Sequence, residues 1–319
     1  MYNEELKQKF ISWYSDNEFT RRSCVAVFNA CERYERGWGA DLCTRQTSDA
    51  QEVLNHVVGL REEHRKLRYT ILRAYTRWCV EVGVDGAINC MEDADFTGVG
   101  KMLTQSVRNP LHLQRYLDVI YDKESEKTTE NIYRGFHWLA YAGMKEDDIV
   151  SVKTSDVNLR DMLIRFNGSE YPVYREALLC LRVCVEQKQF LYKHPNYSTD
   201  TECWKPRYPS DYLLRGIRSD PKLRQLRMEL SRRAKIAYDE GKTETRLSYF
   251  RVWISGIFYR KYEQELAGIP VDFTDVAWAA MQGKTYSLES GKNTVEAYMR
   301  KIRKQYITDY TNWKKTLTL

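Results

Sequence analysis

A chain of 319 residues, 43% hydrophobic and 29% charged, is long enough for two domains that each bury a core. Its net charge is only +6, and no apolar run approaches the roughly 20 residues that span a bilayer, which argues against a membrane-embedded protein. Eight scattered cysteines without a C-x-x-C pair, and a charged start (MYNEELKQKF) without a signal-peptide pattern, argue against a disulfide scaffold or zinc module; the expected compartment is the cytoplasm.

Residues 1–84 read as a small helical domain. Leu6, Phe10 and Tyr14 form one apolar stripe; Cys24, Val27, Phe28, Cys31 and Tyr34 form a second, behind Thr20 as a cap. Thr47-Ser48-Asp49 opens a third helix, carrying Val53, Leu54 and Val57. The longest helix shows Leu67, Ile71, Tyr75, Trp78 and Val82 on one face and stops at Gly83. Off that face lie Arg61, Arg65, Lys66, Arg68, Arg73 and Arg77, so a near-neutral domain presents one basic surface. Residues 85–108, with Gly86, Gly98, Gly100 and an acidic run from Glu92 to Asp95, read as a linker.

Asn109-Pro110 opens a second domain, 109–319. An apolar helix (Ile132, Phe136, Leu139) stops at Gly143, followed by a short acidic helix and an extended turn through Thr154-Ser155-Asp156. Met162 to Tyr174 is extended around Asn167-Gly168, a hairpin signal. Next come a helix from Glu176 to about Lys188 and a polar loop from Lys193 to Ser210. A basic helix (Pro221 to Tyr238) and an apolar helix (Tyr249 to Leu266) follow, the latter ended by Gly268. A helix around Val295 to Tyr306 and a tail, Ile307 to Leu319, complete the chain. Positive charge gathers in two windows. One runs from Lys205 to Lys235 and includes Arg207, Arg215, Arg218, Lys222, Arg224, Arg227, Arg232 and Arg233; the other is Arg300 to Lys304. Such clusters suit a phosphate backbone, the bland alternative being solvated helix faces.

The segment AGMKEDDIVSVKTSDVNL, with R-x-L-R-Y-T-I-L-R-A-Y-T-R-W-C-V-E-V-G before it in the chain, resembles the tyrosine recombinase (phage integrase) family over nearly the whole sequence. The resemblance implies a mainly α fold: an N-terminal SAM-like core-binding domain, then a catalytic-type domain with a small β-hairpin. It also implies that the two domains clamp double-stranded DNA without any cofactor or metal. DNA-facing residues would be Arg21 and Arg22 on the second helix, Lys66, Arg68, Arg73 and Arg77 on the fourth, and Arg224, Arg227, Arg232 and Arg233 on the basic helix.

In this family a tyrosine attacks a phosphodiester while arginines, a hairpin lysine and histidines stabilise charge and move protons. Here Lys145 stands at the first arginine position, keeping the charge but losing bidentate geometry. The segment TRLSYFRVWISG resembles T-x-H-x-L-R-H-T-F-A, with Ser248 in the histidine place and Arg251 retained. The Gly-His step falls at Gly283-Lys284, and Tyr298 is the candidate nucleophile. The five histidines are His56, His64, His112, His137 and His194, so none occupies a C-terminal catalytic place. The sequence therefore points to a DNA-binding protein of integrase fold without catalysis, acting as a phage or mobile-element repressor. The alternatives are an active recombinase using Tyr298, with Lys145 and Lys284 as substitutes, and a helical protein-interaction scaffold. The tail from Ile307 to Leu319 is expected to pack on a second copy; the sequence names no regulatory peptide or protein.

Overall fold

The computed structural model describes residues 1–57, 62–95, 102, 106–121, 127–192, 203–216, 219–220, 222–281 and 295–318. They divide into two compact units, Met1–Gln105 with Phe273–Leu319, and Ser106–Asp272. No helix among the described residues is long and apolar enough to cross a membrane.

The first unit begins with four helices, α1 (Glu4–Tyr14), α2 (Glu18–Trp38), α3 (Thr47–Val57) and α4 (Glu62–Glu81). The cap of α2 is Asn17, whose side chain accepts from the Thr20 amide at 3.2 Å; Thr20, expected as the cap, lies inside the first turn as its partner. The apolar faces meet in an aromatic centre, where Phe10 packs edge-on against Phe28, Tyr75 and Trp78 at 5.3 to 5.9 Å. Within this core Lys7 and Glu35 are fully buried and paired at 2.5 Å, with Asp41 at 3.7 Å from the ammonium. Further donors support both carboxylates: the Tyr75 hydroxyl and Cys43 amide donate to Asp41, and the Leu42 amide donates to Glu35.

Residues 85–95, expected to leave the domain as linker, fold back onto it. The Ile88 amide donates to Cys43 O at 2.7 Å, and Cys90, Met91 and Ala94 join the core. Three apolar side chains outweigh the acidic, glycine-bearing context that suggested a hinge. The C-terminal stretch differs too. Helix Val295–Lys315 runs through the expected tail, because no glycine or proline interrupts it and Tyr306, Tyr310 and Trp313 bury one face. Phe273, just ahead of helix Thr274–Met281, meets Tyr306 at 6.2 Å and Tyr310 at 5.5 Å.

The second unit is built around a helix buried on nearly all sides, Asn131–Tyr141, here α6. It follows α5 (Pro110–Ile120), capped by Asn109 accepting from the His112 amide at 2.8 Å. A single turn, α7 (Glu146–Ile149), leads to a three-stranded antiparallel sheet, β1 (Val157–Asn158), β2 (Leu163–Phe166) and β3 (Ser169–Pro172). Asn167 and Gly168 both have positive φ, 47° and 74°, as a type I′ hairpin turn requires. Helix α8 (Leu178–Glu186) follows. A second antiparallel pair joins β4 (Gln189–Tyr192) to β5 (Cys203–Pro206); β5 falls in the loop expected from Lys193 to Ser210, where Trp204-Lys205-Pro206 shows no period-two alternation and hid the strand. Helices α9 (Leu223–Asp239) and α10 (Tyr249–Leu266) complete the unit. Helix α10 crosses α6 so closely that a Cβ on Gly256 would sit 1.8 Å from Tyr141 O.

Two histidines in this unit are held neutral. Burial presses His137 down to about 3, its Nε2 lying 3.0 Å from the Tyr121 hydroxyl. Burial, then the charges of Arg108 and Arg115, press His112 down to about 4. Both are bases depressed below 6.5, so on acidification the unfolded chain takes up protons before the folded one does. Stability is complete above about pH 6.5 and is lost as pH falls from there toward 4, with a slope of up to about 1.4 kcal/mol per pH unit per histidine. Melting temperature measured across that window should fall with pH, and His137→Phe should flatten the fall.

Candidate nucleic-acid interface

Three residues of the expected catalytic set come together where α10 begins. The Tyr249 hydroxyl donates to Met144 O at 3.0 Å, and the Trp253 indole donates to Gly143 O at 3.2 Å. These bonds fasten the first turns of α10 to the Gly143–Lys145 turn, so Lys145, Ser248 and Arg251 share one neighbourhood. Gly143 has a φ of 94°, and a Cβ there would strike the Arg260 guanidinium, so this turn requires glycine.

Ser248 is the N-cap of α10, its hydroxyl accepting from the Arg251 amide at 3.4 Å. The residue standing in the histidine place is therefore occupied as a helix cap. Ser248→Ala should cost about 1 kcal/mol in a urea melt. The Arg251 guanidinium folds back, donating to the Thr245 hydroxyl and to Arg246 O at 2.9 Å. Lys145 is exposed at the entry to α7, and the next residue, Glu146, takes Arg227 at 2.7 Å. Burial raises the Tyr249 phenol, which is already spent on Met144. The arrangement can attract an anion through Lys145 and Arg251. Tyr298 lies on the helix Val295–Lys315, in the other unit, and its side chain is outside the described residues, as is Lys284.

In the first unit, Arg21 donates to Ser15 O at 2.8 Å and stands 3.6 Å from Asp16; Arg22 pairs with Glu18. Lys66 is exposed, whereas Arg68 is half-buried and donates to Val57 O. Arg73 and Arg77 converge on Glu92, which their bonds hold down at about 2.

Comparison with known families bears on the start of this first unit. Residues 1–81 match the family described as MrpR, N-terminal core-binding domain. The first four helices are thus similar to a core-binding domain of the MrpR type. Among solved structures, the crystal structure of XerA recombinase aligns over 95% of this chain and 98% of that chain, at 12% identity and a TM-score of 0.39. Comparison with curated proteins gives no match.

In the second unit, the basic helix α9 is largely self-paired. Arg224 is exposed, Arg227 reaches Glu146, and Arg232 bonds Glu229 at 2.6 Å. Arg233 bonds Glu130 and Glu229 and lies over the Tyr133 ring at 5.0 Å. Two residues of the same basic window are structural. Arg207 is only 5% exposed and is bonded to Asn131 Oδ1 at 2.6 Å, with burial bringing it down to about 10. Arg215 donates to the carbonyls of Cys184, Val185 and Gln187, capping the C-terminal end of α8. A count of charges along the chain cannot separate these two from their solvated neighbours. Arg108 and Arg115 belong to neither expected set of cations. They flank the Asn109-Pro110 helix start, and their spacing around His112 was the available signal.

Proposed function

We propose that this protein binds double-stranded DNA sequence-specifically without cutting it, as a transcriptional repressor of a phage or mobile element. The observation that carries this is Ser248. The place that the family resemblance gives to a proton-handling histidine holds a serine committed to capping α10, beside an arginine still able to attract phosphate. Losing one preorganised donor of this kind costs on the order of 3 kcal/mol of transition-state stabilisation. Substituting lysine at position 145 weakens the clamp further. A core-binding domain at the N-terminus supports the choice of duplex DNA as partner.

Anisotropy titration of duplexes from the protein's own gene neighbourhood, against scrambled competitors, tests this. The expected result is tighter binding to one or more natural segments, weakening steeply with salt. Equal affinity for every duplex, or none, overturns it. The second reading, an active recombinase, is supported by the exposed cation kept at Lys145. It requires a covalent protein–DNA adduct that Tyr298→Phe abolishes.

A further inference from the structure

The start of the second unit carries a cationic cluster outside the expected catalytic and DNA-facing sets. The Val107 amide donates to the Ser255 hydroxyl at 2.9 Å, and Ser255 lies one turn along α10 from Arg251. Arg108 is therefore anchored beside the N-terminal half of α10. Arg108 lies just ahead of the Asn109 cap, His112 and Arg115 follow on α5, and the charges of both arginines reach His112, so the three form one short cationic stripe. His112 and Tyr116 contact through their rings at 4.9 Å, and Tyr116 feels both Arg251 and Arg108. Among the described residues neither Arg108 nor Arg115 forms an ion pair, in contrast to Arg22, Arg73, Arg77, Arg227 and Arg232. Glu244, also near Tyr116, is the acid felt there, and its charge is set against three arginines.

The chemistry of His112 fits the same direction. Its Nδ1 accepts the Arg108 amide at 3.2 Å, so the neutral ring carries its proton on Nε2, a donor. The stripe thus offers two guanidinium groups and an imidazole N–H with no acidic partner among them. Charge left unneutralised on a surface, with donors gathered at the start of one helix, suits phosphates better than a folded acidic side chain.

We infer that Arg108, His112 and Arg115 form a phosphate-backbone contact surface that extends from Arg251 along α5 and grips duplex DNA. The inference rests on the DNA-binding reading and names contacts that reading does not contain. Contacts of this type supply affinity and salt dependence without sequence preference.

The test is fluorescence anisotropy of the full chain on a mixed-sequence duplex and on its tightest natural duplex, over a series of salt concentrations. The double variant Arg108→Gln/Arg115→Gln is compared with wild type, with Arg108→Lys/Arg115→Lys, and with Arg182→Gln, an exposed arginine elsewhere on the same unit. The expected result is a salt slope shallower by about 2 for the glutamine pair, from about 0.9 per phosphate contact, with equal weakening on both duplexes. The lysine pair and Arg182→Gln keep the wild-type slope. An unchanged slope in the glutamine pair, with wild type binding normally, overturns this inference and leaves the DNA-binding reading standing. Absence of duplex binding by wild type itself overturns that reading. Thermal melts of each variant show that the fold is kept, as expected for side chains outside the core.

Discussion

Gly256→Ala is expected to destabilise the second unit by about 3 kcal/mol or more. An added Cβ would lie 1.8 Å from Tyr141 O and 2.6 Å from its carbonyl carbon, both backbone atoms of α6. Neither helix can yield locally: α6 is buried along its length, and α10 is held by Tyr249 on Met144 and Trp253 on Gly143. Separation of the two helices would open the core and displace the turn that carries Lys145 relative to Arg251. Urea denaturation should show a lower midpoint for the transition of this unit, and duplex binding should weaken with it. A midpoint equal to wild type would mean that the crossing is looser than described.

Lys7→Met is expected to cost the first unit about 3–5 kcal/mol, because it strands Glu35 and Asp41 in an apolar core. The Glu35 carboxyl is already raised above its usual range by burial, with Lys7 opposing that rise. A carboxyl raised in the folded state binds a proton more readily there than in the unfolded chain, so its contribution improves as pH falls. Removing Lys7 enlarges that rise. The variant should therefore regain stability as pH is lowered toward about 5, where wild type gains less. Pairing it with Glu35→Leu should recover part of the loss. Thermal melts at several pH values check both statements, and a melting point for Lys7→Met that is insensitive to acid contradicts them.

The mainly helical architecture was legible because its main signals are local. Phe10, Phe28 and Tyr75 sit at helical spacing and end up in one core, and Asn167-Gly168 forms the hairpin turn its composition suggested. What the sequence hid depends on contacts far apart along the chain. Nothing near Arg207 announces that it is buried against Asn131, and nothing near Cys90 or Met91 announces a return to the first core. The last helix runs past its expected end at Tyr306 because Tyr310 and Trp313 continue a helical stripe across residues of mixed polarity. In the candidate site, Ser248 was found by its motif, but its use as a cap follows only from the bond to the Arg251 amide.

The most direct measurement of the central claim is a denaturing gel of the full chain incubated with a nicked duplex carrying its preferred binding segment. The account predicts a salt-sensitive complex under native conditions and no species surviving detergent. A detergent-resistant protein–DNA band that disappears in Tyr298→Phe would contradict it, by showing that the site still breaks the strand it holds.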